Sequence, residues 1–185
     1  MKIVALDLDG VLVAYPEAWV KFINENYFGG YKDLNMAKNN IPFNAYKELK
    51  YKYRTSGIKA TLPMIKGAAK LTKELRKQGY TIIILTARPI YEVKEVFRDT
   101  LLWLKTNKIE HDLLFAGGHD KQNKITKYFP EIEFVVEDNA TIANNIAKTG
   151  KKVFLLDNIY NQQDIITGVK RIKKLNEVIK NGSKN

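Results

Sequence analysis

Two carboxylates two positions apart, Asp7 and Asp9, interrupt an apolar run of Ile3, Val4, Ala5, Leu6 and Leu8, and Gly10 and Val11 follow at once. The run has the character of a strand buried on both faces, and such a strand has no structural use for two acids. Side chains two apart on an extended chain face the same way, so the pair sets like charges close together at the strand's carboxyl end. That is costly unless a cation sits there. The chemistry on offer is a hard-metal site with a carboxylate nucleophile. The plainer account is a strand whose acids begin a solvated turn, since Asp and Gly are good turn residues. On this stretch by itself both accounts stand.

Composition limits what can join the two acids. The chain has no cysteine, which removes disulfides, thiolate zinc sites and cysteine nucleophiles together. Its two histidines, His111 and His119, are too few for a histidine-based metal site and are read as structural and loop residues. Any metal is therefore expected on oxygen ligands. With 31 Lys plus Arg against 20 Asp plus Glu, the formal net charge is +11. Such a charge attracts anions over long range, and phosphate compounds and nucleic acid both fit. Most of these lysines are read as solvated surface. No run of 18 apolar residues occurs, and the first residues lead straight into the Asp7 strand. A soluble, cytoplasmic protein without membrane association is expected.

A chain of 185 residues with 45% hydrophobic content suits one well-packed core plus a substantial insertion. From 14 to 62 it is rich in Tyr, Phe, Lys and Asn and has no long strand-like run. Trp19, Phe22, Ile23 and Tyr27 fit a helix face opening after Pro16; Phe43, Tyr46, Leu49, Lys50 and Tyr53 fit another after Pro42. Gly29, Gly30 and the residues from Asn39 to Pro42 supply the breaks. Beyond the insertion, the pattern predicts helices over 67–78, 90–105, 121–128 and 140–149, with strands over 80–85, 112–116, 133–136 and, last, 152–156. The helix over 90–105 carries Val93, Val96, Phe97, Leu101 and Leu104. Ile172, Leu175, Val178 and Ile179 recur at helical spacing, so 170–180 is expected to be an amphipathic closing helix before a polar end at 181–185. Alternating helices and continuously apolar strands argue for an α/β protein with a parallel sheet covered on both faces. Ligands bind beyond the carboxyl ends of such strands. The residues there are Asp7 and Asp9, Thr86, the 117–121 loop, and Glu137 with Asp138.

Four of these stretches, in this order, resemble the motifs of the haloacid dehalogenase superfamily of phosphohydrolases. They are Asp7-Leu8-Asp9-Gly10-Val11, Leu85-Thr86-Ala87-Arg88-Pro89, a lysine near Asp120-Lys121, and Val136-Glu137-Asp138-Asn139. The resemblance covers nearly the whole chain. It implies a three-layer Rossmann-like core over 1–13 and 63–185, with 14–62 as a small helical insertion similar to the superfamily's C1 cap. The cap, Thr86 to Pro89, His119-Asp120-Lys121 and the stretch 156–161 together most resemble the 5'(3')-deoxyribonucleotidase group.

That likeness implies a magnesium-dependent phosphomonoesterase releasing phosphate from nucleoside monophosphates through an aspartyl-phosphate. Asp7 is then the nucleophile and Asp9 the acid and base. Thr86 offers a hydroxyl to a phosphate oxygen, and Lys121 supplies positive charge to the transition state. Asp7, the Asp9 backbone carbonyl and Asp138 hold Mg2+. Gly10, Ala87, Arg88, Lys124 and Glu137 are supporting residues. Lys124 competes with Lys121 as the motif lysine, one helical turn away. Arg88 either contacts phosphate or pairs with an acid. Two departures from the family pattern stand out. Val11 replaces a common threonine, and Glu137 replaces a common aspartate, so Glu137 either reaches the metal through water or orients Lys121. The aromatic residues Trp19, Phe22, Phe43, Tyr46 and Tyr53 either stack a nucleobase or form the cap's own core. Phe22 and Phe43 are the two assigned to substrate binding. The expected partner is a small phosphorylated molecule, a (deoxy)nucleoside monophosphate, with nucleic acid as a secondary partner and a homodimer compatible. The alternatives are a phosphatase of another small phosphometabolite or of polynucleotide 3' ends, and a non-catalytic nucleic-acid-binding module.

Overall fold

A computed structural model describes residues 2–182; Met1 and, from the polar end, 183–185 lie outside the described residues. Six strands, β1 (Lys2–Leu6), β2 (Tyr80–Thr86), β3 (Leu113–Ala116), β4 (Ile132–Glu137), β5 (Lys152–Leu156) and β6 (Val169–Ile172), form one sheet. Its order is β3-β2-β1-β4-β5-β6 and every pairing is parallel. Parallel neighbours need crossovers; α4 (Ala68–Lys77), α5 (Lys94–Thr106), α6 (Lys121–Tyr128) and α7 (Ala140–Ala147) supply those up to β5, and a loop over 157–168 leads from β5 to β6. The chain builds outward from β1 through β2 to β3, then returns past β1 to lay down β4. The crevice at the β1 and β4 ends is thus the switch point where open α/β sheets bind ligands.

Side-chain alternation fills both faces. Val4, Leu6, Ile82, Ile84, Val136 and Phe154 pack against Leu71 and Leu75 of α4 and Trp103 and Leu104 of α5. Ile3, Ala5, Ile83, Leu85, Val135 and Leu155 pack against Ile125 of α6 and Ile142, Ala143 and Ile146 of α7. A central strand covered on both sides must be continuously apolar, which is the pattern of β1. Each such side chain, fully buried, contributes about 1.5–3 kcal/mol. That investment fixes where β1 ends, and so where Asp7 emerges.

Between β1 and α4 lie α1 (Glu17–Asn26), α2 (Leu34–Asn40), α3 (Phe43–Thr55) and a 3₁₀ turn, Ile58–Ala60. They gather a separate apolar cluster of Trp19, Ile23, Tyr31, Ala37, Ile41, Leu49 and Tyr53. The sequence pattern does not predict α2, whose Asn and Lys residues hide a short apolar stripe. Asp33 caps it by accepting from the Met36 N–H at 2.8 Å, and Ala37 is its buried residue.

The C-terminal expectation is corrected. β5 is not the last strand, and 170–180 is not one helix: Val169–Ile172 is β6, and α8 (Asn176–Gly182) follows. Ile172, Leu175 and Val178 do share one apolar cluster, so their spacing reports burial correctly. Pairing of Ile172 with Leu156 at the sheet edge overrides the helical period. α5 starts at Lys94 rather than at 90, and Phe97 and Leu101, 40% and 39% exposed, are not on its inner face. That face carries Val96, Thr100, Trp103 and Leu104, and the Trp103 indole N–H donates to the Leu62 carbonyl at 2.7 Å. Among the described residues, no helix is long and apolar enough to cross a membrane.

Candidate active site

The sheet brings acids from two strands together. Asp7 extends the β1 ladder, its N–H donating to the Val136 carbonyl at 2.9 Å, which sets it beside Glu137 and Asp138 at the end of β4. Asp7, Glu137 and Asp138 are buried, and each offers a carboxylate oxygen within 4.8 Å of the others. Lys121, the first residue of α6, is 1% exposed; its ammonium lies 2.7 Å from both Asp7 Oδ1 and Glu137 Oε2. Gly117 admits the lysine stem, since a Cβ there would come within 3.0 Å of Lys121 Cγ and 2.9 Å of Leu85 Cδ1. Lys124 does not reach the cluster: its ammonium lies 5.8 Å from the centre of the Tyr128 ring. Of the two lysines, the geometry brings Lys121 to the acids.

Asp9 is engaged separately. Arg88 donates to it through Nε at 2.8 Å and Nη2 at 2.6 Å, a bidentate pair, while its Nη1 donates to Thr100 Oγ1 at 3.0 Å. Of the two contacts open to Arg88, the structure has the pairing with an acid. Thr86 lies buried at the end of β2, its hydroxyl accepting from the Arg88 N–H at 3.1 Å. Glu137 uses its second oxygen to accept from the N–H groups of Asp138 and Asn139, both at 3.2 Å. It thus orients Lys121 and pins the loop into α7. At Gly10, φ is +89°, and a Cβ would land on the Asp138 carboxylate and 2.8 Å from the Tyr160 hydroxyl. Backbone conformation and crowding both require glycine there.

Asp138 has supports that the sequence left without a role. The Tyr160 hydroxyl donates to Asp138 Oδ2 at 2.5 Å, and Asn161 Nδ2 donates to the Asp138 carbonyl at 2.6 Å and the Leu156 carbonyl at 2.8 Å. Arg171 Nη1 in turn donates to Asn161 Oδ1 at 2.9 Å. Tyr160 and Asn161 lie in the loop that leaves the carboxyl end of β5, and that position was the available signal.

Charge is out of balance at this floor. Burial raises Asp7, Lys121 opposes the rise, and Glu137 adds to it. Burial, then Glu137 and Asp7, raise Asp138 well above its ordinary value. Burial also works against the Lys121 charge, but Asp7 and Glu137 outweigh it and keep the ammonium protonated. Burial would likewise raise Asp9, yet Arg88 and then Lys59 hold its carboxyl well below the usual range. Three clustered carboxylates thus face one lysine. An all-oxygen donor set with surplus negative charge fits a hard divalent cation.

A cavity of about 1290 Å³ opens above the floor. Ala87 and His119 line it, whereas the His111 ring Nδ1 stays 3.0 Å from the Ile109 carbonyl. The two aromatic residues expected to bind substrate lie away from this cavity. Phe22 is taken up by the apolar cluster of the insertion, its ring 5.9 Å from that of Trp19 and 5.2 Å from that of Tyr53. Phe43 is 74% exposed beneath Lys47, and neither Phe lines the cavity. Trp19, Tyr46 and Tyr53 do, with Tyr15 and Tyr160, and the Trp19 indole donates to the Tyr46 hydroxyl at 3.1 Å.

No family model matches the chain. A nucleotidase of Clostridium acetobutylicum is 25% identical over 185 residues, spanning 95% of this chain and 90% of that protein. A haloacid dehalogenase-like hydrolase from Streptococcus pneumoniae superposes with a TM-score of 0.66 at 13% identity, covering 99% of both chains. The D,D-heptose 1,7-bisphosphate phosphatase of B. bronchiseptica, solved with magnesium and phosphate, gives a TM-score of 0.56 at 15% identity over 98% of this chain and 97% of that one. At such identities the structural likeness is one of fold.

Proposed function

We propose that the chain is a phosphohydrolase of the haloacid dehalogenase superfamily, a magnesium-dependent 5'(3')-(deoxy)ribonucleotidase acting on nucleoside monophosphates; the nucleotidase relative and the shared fold support this reading. The observation that carries this reading is the convergence of Asp7, Glu137 and Asp138 around Lys121 at the switch point of the sheet. Phosphate monoesters are among the slowest esters to hydrolyse, so a catalyst needs both a nucleophile and preorganised positive charge. The Asp7 carboxylate attacks phosphorus and forms an aspartyl-phosphate. Lys121, held by Glu137, meets the charge that develops on the phosphoryl oxygens, and the Thr86 hydroxyl has a proton to donate beside them. Mg2+ would be held by Asp7, the Asp9 carbonyl and Asp138, and when bound it supplies charge neutralisation between nucleophile and phosphate.

Asp9 gives its proton to the leaving alcohol and then takes one from the attacking water. In the structure Arg88 keeps Asp9 ionised, so this role requires Asp9 to part from Arg88, and an arriving phosphate offers Arg88 another anion. The helices over 14–62 act as the cap in this reading: they roof the cavity and present Trp19, Tyr46 and Tyr53 to a base. Orthophosphate release with Mg2+, measured across mononucleotides, sugar phosphates and 3'-phosphorylated oligonucleotides, tests the substrate assignment. Mononucleotides are expected to lead, and their failure beside turnover of another class overturns it. Salt-dependent oligonucleotide binding that survives Asp7→Asn, with no metal-dependent turnover of any ester, would favour the non-catalytic module.

A further inference from the structure

Facing the acidic floor, the cavity has a wall of opposite sign. Lys59 sits in the 3₁₀ turn, Lys50 and Arg54 lie one helical turn apart on α3, and all three line the cavity that holds Asp7 and Lys121. Lys59 is only 8% exposed. Among the described residues, none of these three cations has a carboxylate within ion-pair distance. Lys59 lies 4.9 Å from the Tyr53 ring, an aromatic face that holds a cation without neutralising it. Asp9 and Glu92 act on Lys59 and Arg54 only beyond that distance, and Asp9 is already bound by Arg88. Burial depresses Lys59 to about 8, with Asp9 opposing and Arg88, Arg54 and Lys50 adding to the effect. Burial, then Arg54 and Lys38, depresses Lys50 in the same direction. The remaining deep cations are committed: Arg88 to Asp9, Lys121 to Asp7 and Glu137. The wall gathers like charges with no carboxylate at ion-pair distance among the described residues, beside a cavity of about 1290 Å³, larger than the roughly 300–1,000 Å³ of ordinary small-ligand sites.

We propose that Lys50, Arg54 and Lys59 seat a second phosphate group of the substrate, so that the ester cleaved at Asp7 belongs to a nucleoside 3',5'-bisphosphate. This rests on the phosphatase reading above and narrows its substrate class. One ester P–O bond breaks as Asp7 bonds to phosphorus, and the departing alcohol takes the Asp9 proton. Water then releases orthophosphate and restores that proton to Asp9, and the seated phosphate leaves intact on a nucleoside monophosphate. The next phosphodiester of a short oligonucleotide would offer similar chemistry with one charge fewer.

Calorimetric binding to the full chain carrying Asp7→Asn, in Mg2+, separates these cases. The probes are thymidine 5'-monophosphate, thymidine 3',5'-bisphosphate and a 5'-phosphorylated dinucleotide. The bisphosphate is expected to bind at least about tenfold more tightly than the monophosphate, the worth of one charge-assisted hydrogen bond. Adding Lys59→Gln is expected to bring that ratio close to one. Because Lys59 is buried, the Lys50→Gln/Arg54→Gln pair is measured in parallel, with folding checked by circular dichroism, and the same collapse is expected. Equal affinity for the two nucleotides, or a ratio that survives in both folded variants, overturns the seat. A dinucleotide that outbinds the bisphosphate overturns the nucleoside assignment in favour of an oligonucleotide. Orthophosphate release by the unmutated protein judges the underlying reading separately: preference without turnover of any ester sinks the phosphatase, and turnover without preference sinks only the seat.

Discussion

The two sides of the cavity handle charge in opposite ways. On the sheet side every charged group has a fixed partner: Asp7 and Glu137 share Lys121, Asp9 takes both arms of Arg88, and Asp138 accepts from Tyr160. On the helical side Lys50, Arg54 and Lys59 have none within ion-pair distance among the described residues. Strand ends held by a doubly covered sheet can position reacting groups to fractions of an ångström, and preorganisation of that kind serves chemistry. Helices packed on their own small cluster have looser obligations to the core, and unpaired charge there suits a group that arrives from outside. If the proposed phosphate seat holds, reaction and recognition are built on different layers of this molecule.

The largest expected effect breaks the sheet side. Asp7→Asn should lower turnover by about four orders of magnitude or more, as loss of a nucleophile does elsewhere. It should also raise the melting temperature of the metal-free protein, by about 2–4 °C per kcal/mol gained, because it removes a buried acid from an over-charged cluster. The sign follows from linkage. Asp7 and Asp138 have folded-state pKa values raised above their unfolded ones, so the stability they contribute is present at low pH and lost as pH rises through the folded values. Melting curves of the metal-free wild type should therefore shift downward from the ordinary carboxylate range toward alkaline pH, and the variant should flatten that trend. An inactive variant that is also less stable in the absence of metal would contradict this account of the floor.

Chelation comes next. Removing divalent cations should abolish turnover, and restoring Mg2+ at about 100 times its Kd should stabilise the fold by about 2.7 kcal/mol. A melting temperature indifferent to Mg2+ would mean the acids hold no such ion. Lys121→Met should then cost about 10²–10³ in kcat and, by leaving buried acids unpaired, about 3–5 kcal/mol of stability. Lys124→Met serves as the control and should change neither beyond about 0.5 kcal/mol, as for an ordinary surface site. The smallest effect sharpens the supporting layer. Tyr160→Phe removes one hydrogen bond to Asp138 and should weaken Mg2+ affinity about 10-fold, with turnover at saturating Mg2+ nearly intact. A Mg2+ titration under turnover reads this directly, and an unchanged midpoint would reduce Tyr160 to a packing residue.

How much was legible in the sequence varied with distance along the chain. The Asp7 strand was legible because burial on both faces leaves a local signature and two acids break it within a few residues. Thr86 and Asp138 were legible for the same reason at the ends of β2 and β4. β6 was not, since Ile172 belongs to an apolar spacing that serves a helix as well as an edge strand, and only pairing with β5 chooses between them. Nor was the face of α5: its phase is set by Trp103 reaching the Leu62 carbonyl, a contact 41 positions apart. Nor was the placement of Phe22 and Phe43, since composition says nothing about which ring packs inward and which stays exposed.

By itself the sequence determined the alternation of helix and apolar strand, hence the parallel sheet, and the kinds of groups at its strand ends. Those are properties of short windows, where period and burial leave a record residue by residue. Only the tertiary structure decided that Lys121 rather than Lys124 meets Asp7, that Arg88 closes on Asp9 across 79 positions, that Glu137 orients the lysine, and that Lys59 is buried with no ion-pair partner among the described residues. Each of these depends on which distant side chains packing brings within about 3 Å, where Coulomb and hydrogen-bond energies become large. No window of sequence contains both partners.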